Sequence, residues 1–305
     1  MKIIDAHMHF SKIASFNDCA TLTSNLDYSA DGYLAEAEAC GIVRSVCMGL
    51  SENPPRQFPD ITAHTPMLAD LADVTAHTPM LADLTDTVLQ PLTQIALCLG
   101  INPHTLNTAA IAEMERIVNR EGPPYAPTTQ IVGIKIYAGY YHFDVCDPVY
   151  KPAYDFAERH DLAVVIHSGD TYSEKGKLIY AQPLSIDSFA VDRPDMRIVI
   201  CHMGAPWIYD ACEVAGKNKN VYMDLSGLHV GDAAYFAERV REPLLIDRYR
   251  QALIVMDAYD KVLFGTDWPL APMASYIDFC KRLVPPQEYD RVFYDNARRV
   301  FKLPD

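Results

Sequence analysis

The sequence predicts a (β/α)₈ barrel. Three observations carry that reading. Eight short apolar runs recur along the 305 residues. Ala-, Glu- and Arg-rich stretches with helical spacing separate most of them. The runs are almost continuously apolar rather than alternating, which suits strands of a parallel sheet covered on both faces. Eight strands alternating with helices, in a chain longer than the about 250 residues typical of that barrel, fit one domain over residues 1–305. An open doubly wound sheet is the alternative. It usually places a Gly-rich phosphate loop after its first strand, whereas the first run here ends in "HMHF".

The first strand is expected over 2–10, "KIIDAHMHF". A strand repeats every two residues, so His7 and His9 would project side by side, with Asp5 one step behind on the same face. "DGYLAEAEACG" (31–41) reads as a helix leading to a second strand over 42–50. Then "TAHTPMLADL" occurs twice, at 62–71 and 75–84. Each copy carries a Thr-Pro that suits a helix start, a cap followed by proline at the first helical position. This insert, about residues 62–87, reads as a neutral duplication, because surface loops tolerate added length. Its His64 and His77 are not counted as ligands.

The third strand is expected over 94–102, followed by a helix within 105–122. The fourth, "QIVGIKIYAG" (130–139), contains Lys135 and leads to a helix over 148–160. The remaining strands are expected over 162–170, 196–204, 220–227 and 261–269, with a helix over 271–284.

Composition narrows the function. A formal net charge of −14 argues against binding a phosphate backbone, which needs clustered Lys and Arg. No 18-residue apolar segment occurs, so no membrane span is expected. The N-terminus lacks the uninterrupted apolar stretch of a signal peptide. Eight cysteines, none in a C-x-x-C pair, read as buried thiols of a cytoplasmic protein.

The polar residues within the apolar runs cluster at their C-terminal ends. His7 and His9 end the first run, His167 the fifth, His202 the sixth and Asp267 the eighth. In a parallel barrel all those ends open on one face, where active sites lie. Several histidines and a carboxylate form a ligand set for a divalent metal, Zn²⁺ first, with Mn²⁺ or Fe²⁺ as alternatives.

These same motifs, "DAHMHF", "VVIHSGD", "VICHMGAPW" and "LFGTDWP" with the closing "NARRVFKL", resemble the amidohydrolase superfamily. Within it they resemble the branch of metal-dependent hydrolases and decarboxylases related to aminocarboxymuconate-semialdehyde decarboxylase. The resemblance spans the chain. It implies a distorted barrel, His7, His9, His167 and Asp267 as metal ligands, and His202 as a polarising or acid–base residue. It also raises the question of a second ion. In dinuclear members of the superfamily a fourth-strand lysine is carbamylated and bridges two metals, with histidines after strands five and six, and Lys135, His167 and His202 stand in those places, so Lys135 and His202 are further candidate ligands. The plainer reading is a lysine that snorkels or pairs with a carboxylate, and one metal is the preferred count. The duplicated segment is not part of the family pattern.

Tyr137, Tyr140, Tyr141 and His142 follow the fourth strand, His229 follows the seventh, and Trp268 adjoins Asp267. Of these, Tyr137, His229 and Trp268 are the candidate substrate contacts. The leading expectation is a hydrolase of a small amide, lactone or ester, with Asp267 and His202 as its catalytic pair. A metal-dependent decarboxylase is the second reading, and a ligand-binding barrel without turnover the third. The expected partner is a small molecule, and a homo-oligomer is compatible with the sequence.

Overall fold

β-Branched residues in short runs dictate the strands, and the computed structural model, which describes residues 1–10, 13–50, 95–119 and 130–304, finds them where the runs lie. They are β1 (Ile3–Met8), β2 (Ile42–Met48), β3 (Ile95–Ile101), β4 (Gln130–Ile136), β5 (Ala163–Ile166), β6 (Ile198–Ile200), β7 (Val221–Asp224) and β8 (Val262–Leu263). All neighbouring pairs are parallel and the order is sequential, β1 to β8. The chain from Phe264 to Trp268 runs alongside β1, parallel to it. Ala6 N donates to Phe264 O (2.9 Å), Asp267 N to His7 O (2.8 Å) and His9 N to Trp268 O (2.9 Å). These bonds draw the two ends of the sheet together into a barrel.

Several helices pack outside it. Ala30–Cys40 starts at Ser29, whose side chain accepts from Gly32 N, and ends at Gly41, which is left-handed at φ 72°. Thr108–Val118 starts at Asn107, whose side chain accepts from Ala109 N and Ala110 N. Lys151–Arg159 and Met273–Leu283 follow where the helical spacing places them. Among the described residues no helix is long and apolar enough to cross a membrane. The duplicated "TAHTPMLADL" segment, with His64 and His77, lies outside the described residues.

Two apolar layers are distinct. The inner one fills the lumen with Ile4, Ala6, Val46, Met48, Ala96, Cys98, Val132, Ala163, Val165, Val199 and Leu263. Ala297, Val300 and Phe301 from the last helix, Asn296–Val300, and its end join that layer. The outer layer, between strands and helices, takes the alternate residues, such as Ile3, Met8, Ile134, Ile136, Val164 and Ile166.

Two irregularities in the pairing decide what the lumen contains. Asp5 pairs with Ser45 and Met8 with Cys47, so β1 carries one residue more than β2 across that interval. Ile4 and Ala6 face inward before this bulge and Met8 faces outward after it. The extra residue therefore turns His7 and His9 into the lumen. It leaves Asp5 on the outward side with Ile3, correcting the expectation that Asp5 shares a face with His7. Likewise Leu97 pairs with Ile131 but Cys98 with Gly133. That bulge follows inward Val132 and turns Lys135 inward as well.

The expected strand over 261–269 is also corrected. β8 holds two residues, and the segment beyond it turns, with Asp267 left-handed at φ 59°.

Candidate metal centre and active site

A cavity of about 530 Å³ opens where the C-terminal strand ends meet. His7, His9, Lys135, His167, His202 and Asp267 line it, with Phe16, Tyr137, Tyr140 and Tyr172 as aromatic walls. His229, Arg248 and Tyr249 line another part of it. Trp268 does not line it, contrary to expectation. Its ring packs against Phe10, Tyr28 and Tyr33, and its Nε1 donates to Glu36. Trp268 thus braces the turn that carries Asp267 rather than walling the cavity.

Three side chains converge. His9 Nε2 lies 3.1 Å and His7 Nε2 3.4 Å from Asp267 Oδ1. A donor atom of each of the three residues falls within 4.8 Å of the others, and all three are buried. Hydrogen-bond partners fix which nitrogens are bare. Asp224 Oδ2 lies 2.9 Å from His7 Nδ1, and a carboxylate can only accept, so Nδ1 carries the proton. His7 Nε2 is then a bare donor atom, buried and without a hydrogen-bond partner. His9 Nδ1 lies 3.2 Å from the Met48 carbonyl, which leaves His9 Nε2 bare in the same way. Two bare imidazole nitrogens and one carboxylate oxygen, preoriented by carbonyl and carboxylate partners, fit a divalent metal.

The charge states agree with this. Burial, then the positive charge of Lys135, pushes His7 down to about 4, against the pull of Asp224 and Asp267. Burial pushes His9 and His167 down as well. Burial opposes ionisation of Asp267, yet His7, His202 and His9 hold its carboxyl well below the usual range. At neutral pH the site presents uncharged imidazoles and an ionised carboxylate, as a metal requires.

His167 stands apart from the three. Its Nε2 lies 2.9 Å from the Asp170 carbonyl, so its bare Nδ1 points at His202 Nε2, 3.1 Å away. His202 Nδ1 in turn lies 3.1 Å from the Ser226 carbonyl. His202 thus sits between the bare nitrogen of His167 on one side and the Ser226 carbonyl and hydroxyl on the other. Its Nδ1 is also 3.7 Å from Asp267 Oδ2. His202, Met203 and Asp267 are all left-handed, at φ 58°, 50° and 59°. Such backbone strain collects at functional sites. Lys135 does not meet the three ligands, and its hydrogen bond goes to Cys201 Sγ at 2.7 Å. Cys201 itself forms a second close group with His7 and His202.

Of three supporting residues, Asp224 and Ser226 escaped the reading of the sequence, and Asp5 was placed on the wrong face. Asp224 holds His7 through Oδ2, while its Oδ1 accepts from the backbone N–H of His202 (2.9 Å) and Ser226 (3.0 Å). Ser226 Oγ lies 3.1 Å from His7 Nδ1 and 3.0 Å from His202 Nδ1. Asp5, on the outward side, accepts from Thr266 N and Oγ1 and so anchors the turn before Asp267. Asp224 ends its apolar run just as His7, His167 and Asp267 end theirs, and that signal could have found it.

The family model for amidohydrolases matches residues 4–303. The chain belongs to the amidohydrolase family. Members of this family are enzymes and are typically metal-dependent. No curated protein matches the sequence. Among solved structures, an uncharacterized TIM-barrel protein from Bordetella bronchiseptica is 20% identical over 99% of both chains, with a TM-score of 0.64. An amidohydrolase from Burkholderia multivorans with bound zinc is 18% identical over 100% of both chains, with a TM-score of 0.62. 5-Carboxyvanillate decarboxylase LigW from Sphingomonas paucimobilis is 17% identical over 100% of both chains, with a TM-score of 0.58. At such identities the likeness establishes the shared barrel.

Proposed function

We propose that this amidohydrolase is a metal-dependent hydrolase of a small amide, lactone or ester. His7, His9 and Asp267 would hold the ion, with His167 lining the same cavity. The observation that carries the reading is the position of Asp267. One of its oxygens faces the two bare histidine nitrogens and the other faces His202. A single carboxylate therefore touches both the metal position and the acid–base histidine.

When bound, a divalent ion lowers the pKa of a water and polarises the scissile carbonyl. Zinc suits the mixed nitrogen and oxygen donors. Asp267, ionised, receives a proton at its carboxylate and passes it to the leaving group. His202 stabilises the developing oxyanion, as preorganised groups do without reorganisation. Asp224 and Ser226 hold both histidines still while this happens.

Decarboxylation is the second reading. The walls of Phe16, Tyr137 and Tyr140 suit a flat ring, and a protein with the same barrel, LigW, is named for removing a carboxylate from one. One experiment separates the two. Zinc-loaded protein is offered a panel of lactones, amides, esters and hydroxybenzoates in ¹⁸O-water. Hydrolysis puts ¹⁸O into the acid product, and decarboxylation releases CO₂ and leaves the organic product without it. Activity only with release of CO₂ would replace the first reading by the second.

A further inference from the structure

Lys135 is a buried cation with too few partners. The bulge in β4 turns it into the lumen, its side chain is 1% exposed, and it lines the cavity. An ammonium has three N–H donors and no acceptor. Among the described residues its one hydrogen bond goes to Cys201 Sγ, at 2.7 Å. Burial keeps the Cys201 thiol protonated, so the sulfur is a weak, neutral acceptor. The Tyr137 ring lies 5.4 Å from Nζ and adds a cation–π contact. No carboxylate among the described residues forms an ion pair with it. Asp267 and Asp224, the nearby lumenal carboxylates, are engaged by histidines. Burying an ammonium without an anion is costly, and structural need does not explain it, because a leucine or methionine would fill the same lumen.

We propose that the missing partner is an anionic oxygen of the substrate, and that Lys135 is the residue that binds a carboxylate in the cavity it shares with the His7–His9–Asp267 cluster. The substrate is then a small carboxylic acid whose carboxylate enters first and whose reacting group is brought against the metal position. This rests on the reading of the cavity as the substrate site. It holds for hydrolysis and decarboxylation alike. The aromatic walls line the same cavity as Lys135 and suit an aryl carboxylate, which makes benzoate a fair probe. The competing fate of an unpaired lysine is carbamylation, in which the ammonium gives up one proton, the neutral Nζ attacks CO₂ to form an N–C bond, and the nitrogen loses a second proton. That would replace the positive charge by a negative one and abolish carboxylate binding.

The test is calorimetric titration of the full chain with benzoate and with its neutral isostere benzamide, without added metal. Wild type should bind benzoate about tenfold or more tightly than benzamide, since a hydrogen-bonded charge is at stake. Lys135→Met, which nearly conserves volume, should lose that preference, and Lys135→Arg should keep most of it. Zinc stoichiometry measured in parallel reports on the metal assignment separately, and Lys135→Met should leave it unchanged. Equal binding of benzoate and benzamide by wild type would overturn the proposal, even if Lys135→Met failed to fold. So would a carbamate carbon signal after incubation with ¹³C-bicarbonate, present in wild type and absent from Lys135→Met.

Discussion

His7 Nδ1 and Asp224 Oδ2 lie 2.9 Å apart inside the barrel, joined across 217 residues of sequence. The bond does two things at once. It keeps the His7 proton on Nδ1, and so keeps Nε2 bare for a metal. It also gives the buried Asp224 a partner, and His7 with Ser226 holds that carboxyl well below its usual range although burial pushes the other way. Carboxylate partners of this kind commonly contribute 10- to 100-fold, roughly, to metal affinity. Asp224→Asn keeps the side-chain size and an oxygen for the His202 and Ser226 amides. It should weaken zinc binding by about that factor with the fold intact. Competition against a chelating indicator measures it, and wild-type affinity would remove Asp224 from the site.

The ligand assignment is tested more directly. His7→Ala and Asp267→Ala each remove a donor from a buried three-residue cluster. Each variant should lose most of its bound zinc while the circular dichroism spectrum is retained. Full occupancy in both would mean that the ion lies elsewhere, and the Cys201-containing group would be the next place to look.

The buried imidazoles also set a pH dependence for the metal-free protein. His7 is pushed down to about 4 from 6.5. Between those values the unfolded chain takes up a proton that the folded chain refuses. Stability must therefore fall as pH drops through that window, and it is fully present above it. The fall from His7 alone is up to about 3 kcal/mol, with His9 and His167 acting in the same direction. Urea midpoints at neutral pH and near the lower value should differ accordingly, and His7→Asn should flatten the slope. A level profile for wild type would show that His7 is not neutral and buried.

Much of this was legible in the sequence, because a strand in a covered parallel sheet is apolar on both faces and a polar residue at its end is conspicuous. All eight runs became strands, and their ends carry the cluster. The same property hid the bulges. Where both faces are apolar, no alternation shows that β1 and β4 each hold an extra residue, so the face of Asp5 was misread. The turn from Gly265 to Pro269 read as strand because it continues the apolar run Val262–Phe264, while the left-handed Asp267 within it is set by closure against β1. Trp268 was placed in the cavity by adjacency to Asp267, whereas neighbouring residues point apart. The separation of His167 from the three ligands depends on the Asp170 carbonyl, a backbone group that no side-chain motif announces.

Gly227 gives the sharpest test of how tightly the centre is built. It follows Ser226, is left-handed at φ 59°, and lines the cavity. A Cβ there would overlap Asp267 Oδ2 and stand 2.8 Å from His202 Nδ1. Neither neighbour can yield cheaply. Asp267 is held through its backbone by His7 O and His202 through its own amide by Asp224. Gly227→Ala should therefore cost about 1–2 kcal/mol in stability for the left-handed alanine. Its larger effect should be on chemistry. Moving the face of Asp267 that meets His202 by a fraction of an ångström separates the proton acceptor from the acid. A misplacement approaching 1 Å costs on the order of 100-fold in rate. Zinc affinity should change less than turnover, because Oδ1, the metal-facing oxygen, lies on the far side of the carboxylate from the new methyl group. Turnover at wild-type level with zinc fully bound would mean that Asp267 Oδ2 and His202 Nδ1 do not need their present separation. The proton path between them would then have to be abandoned.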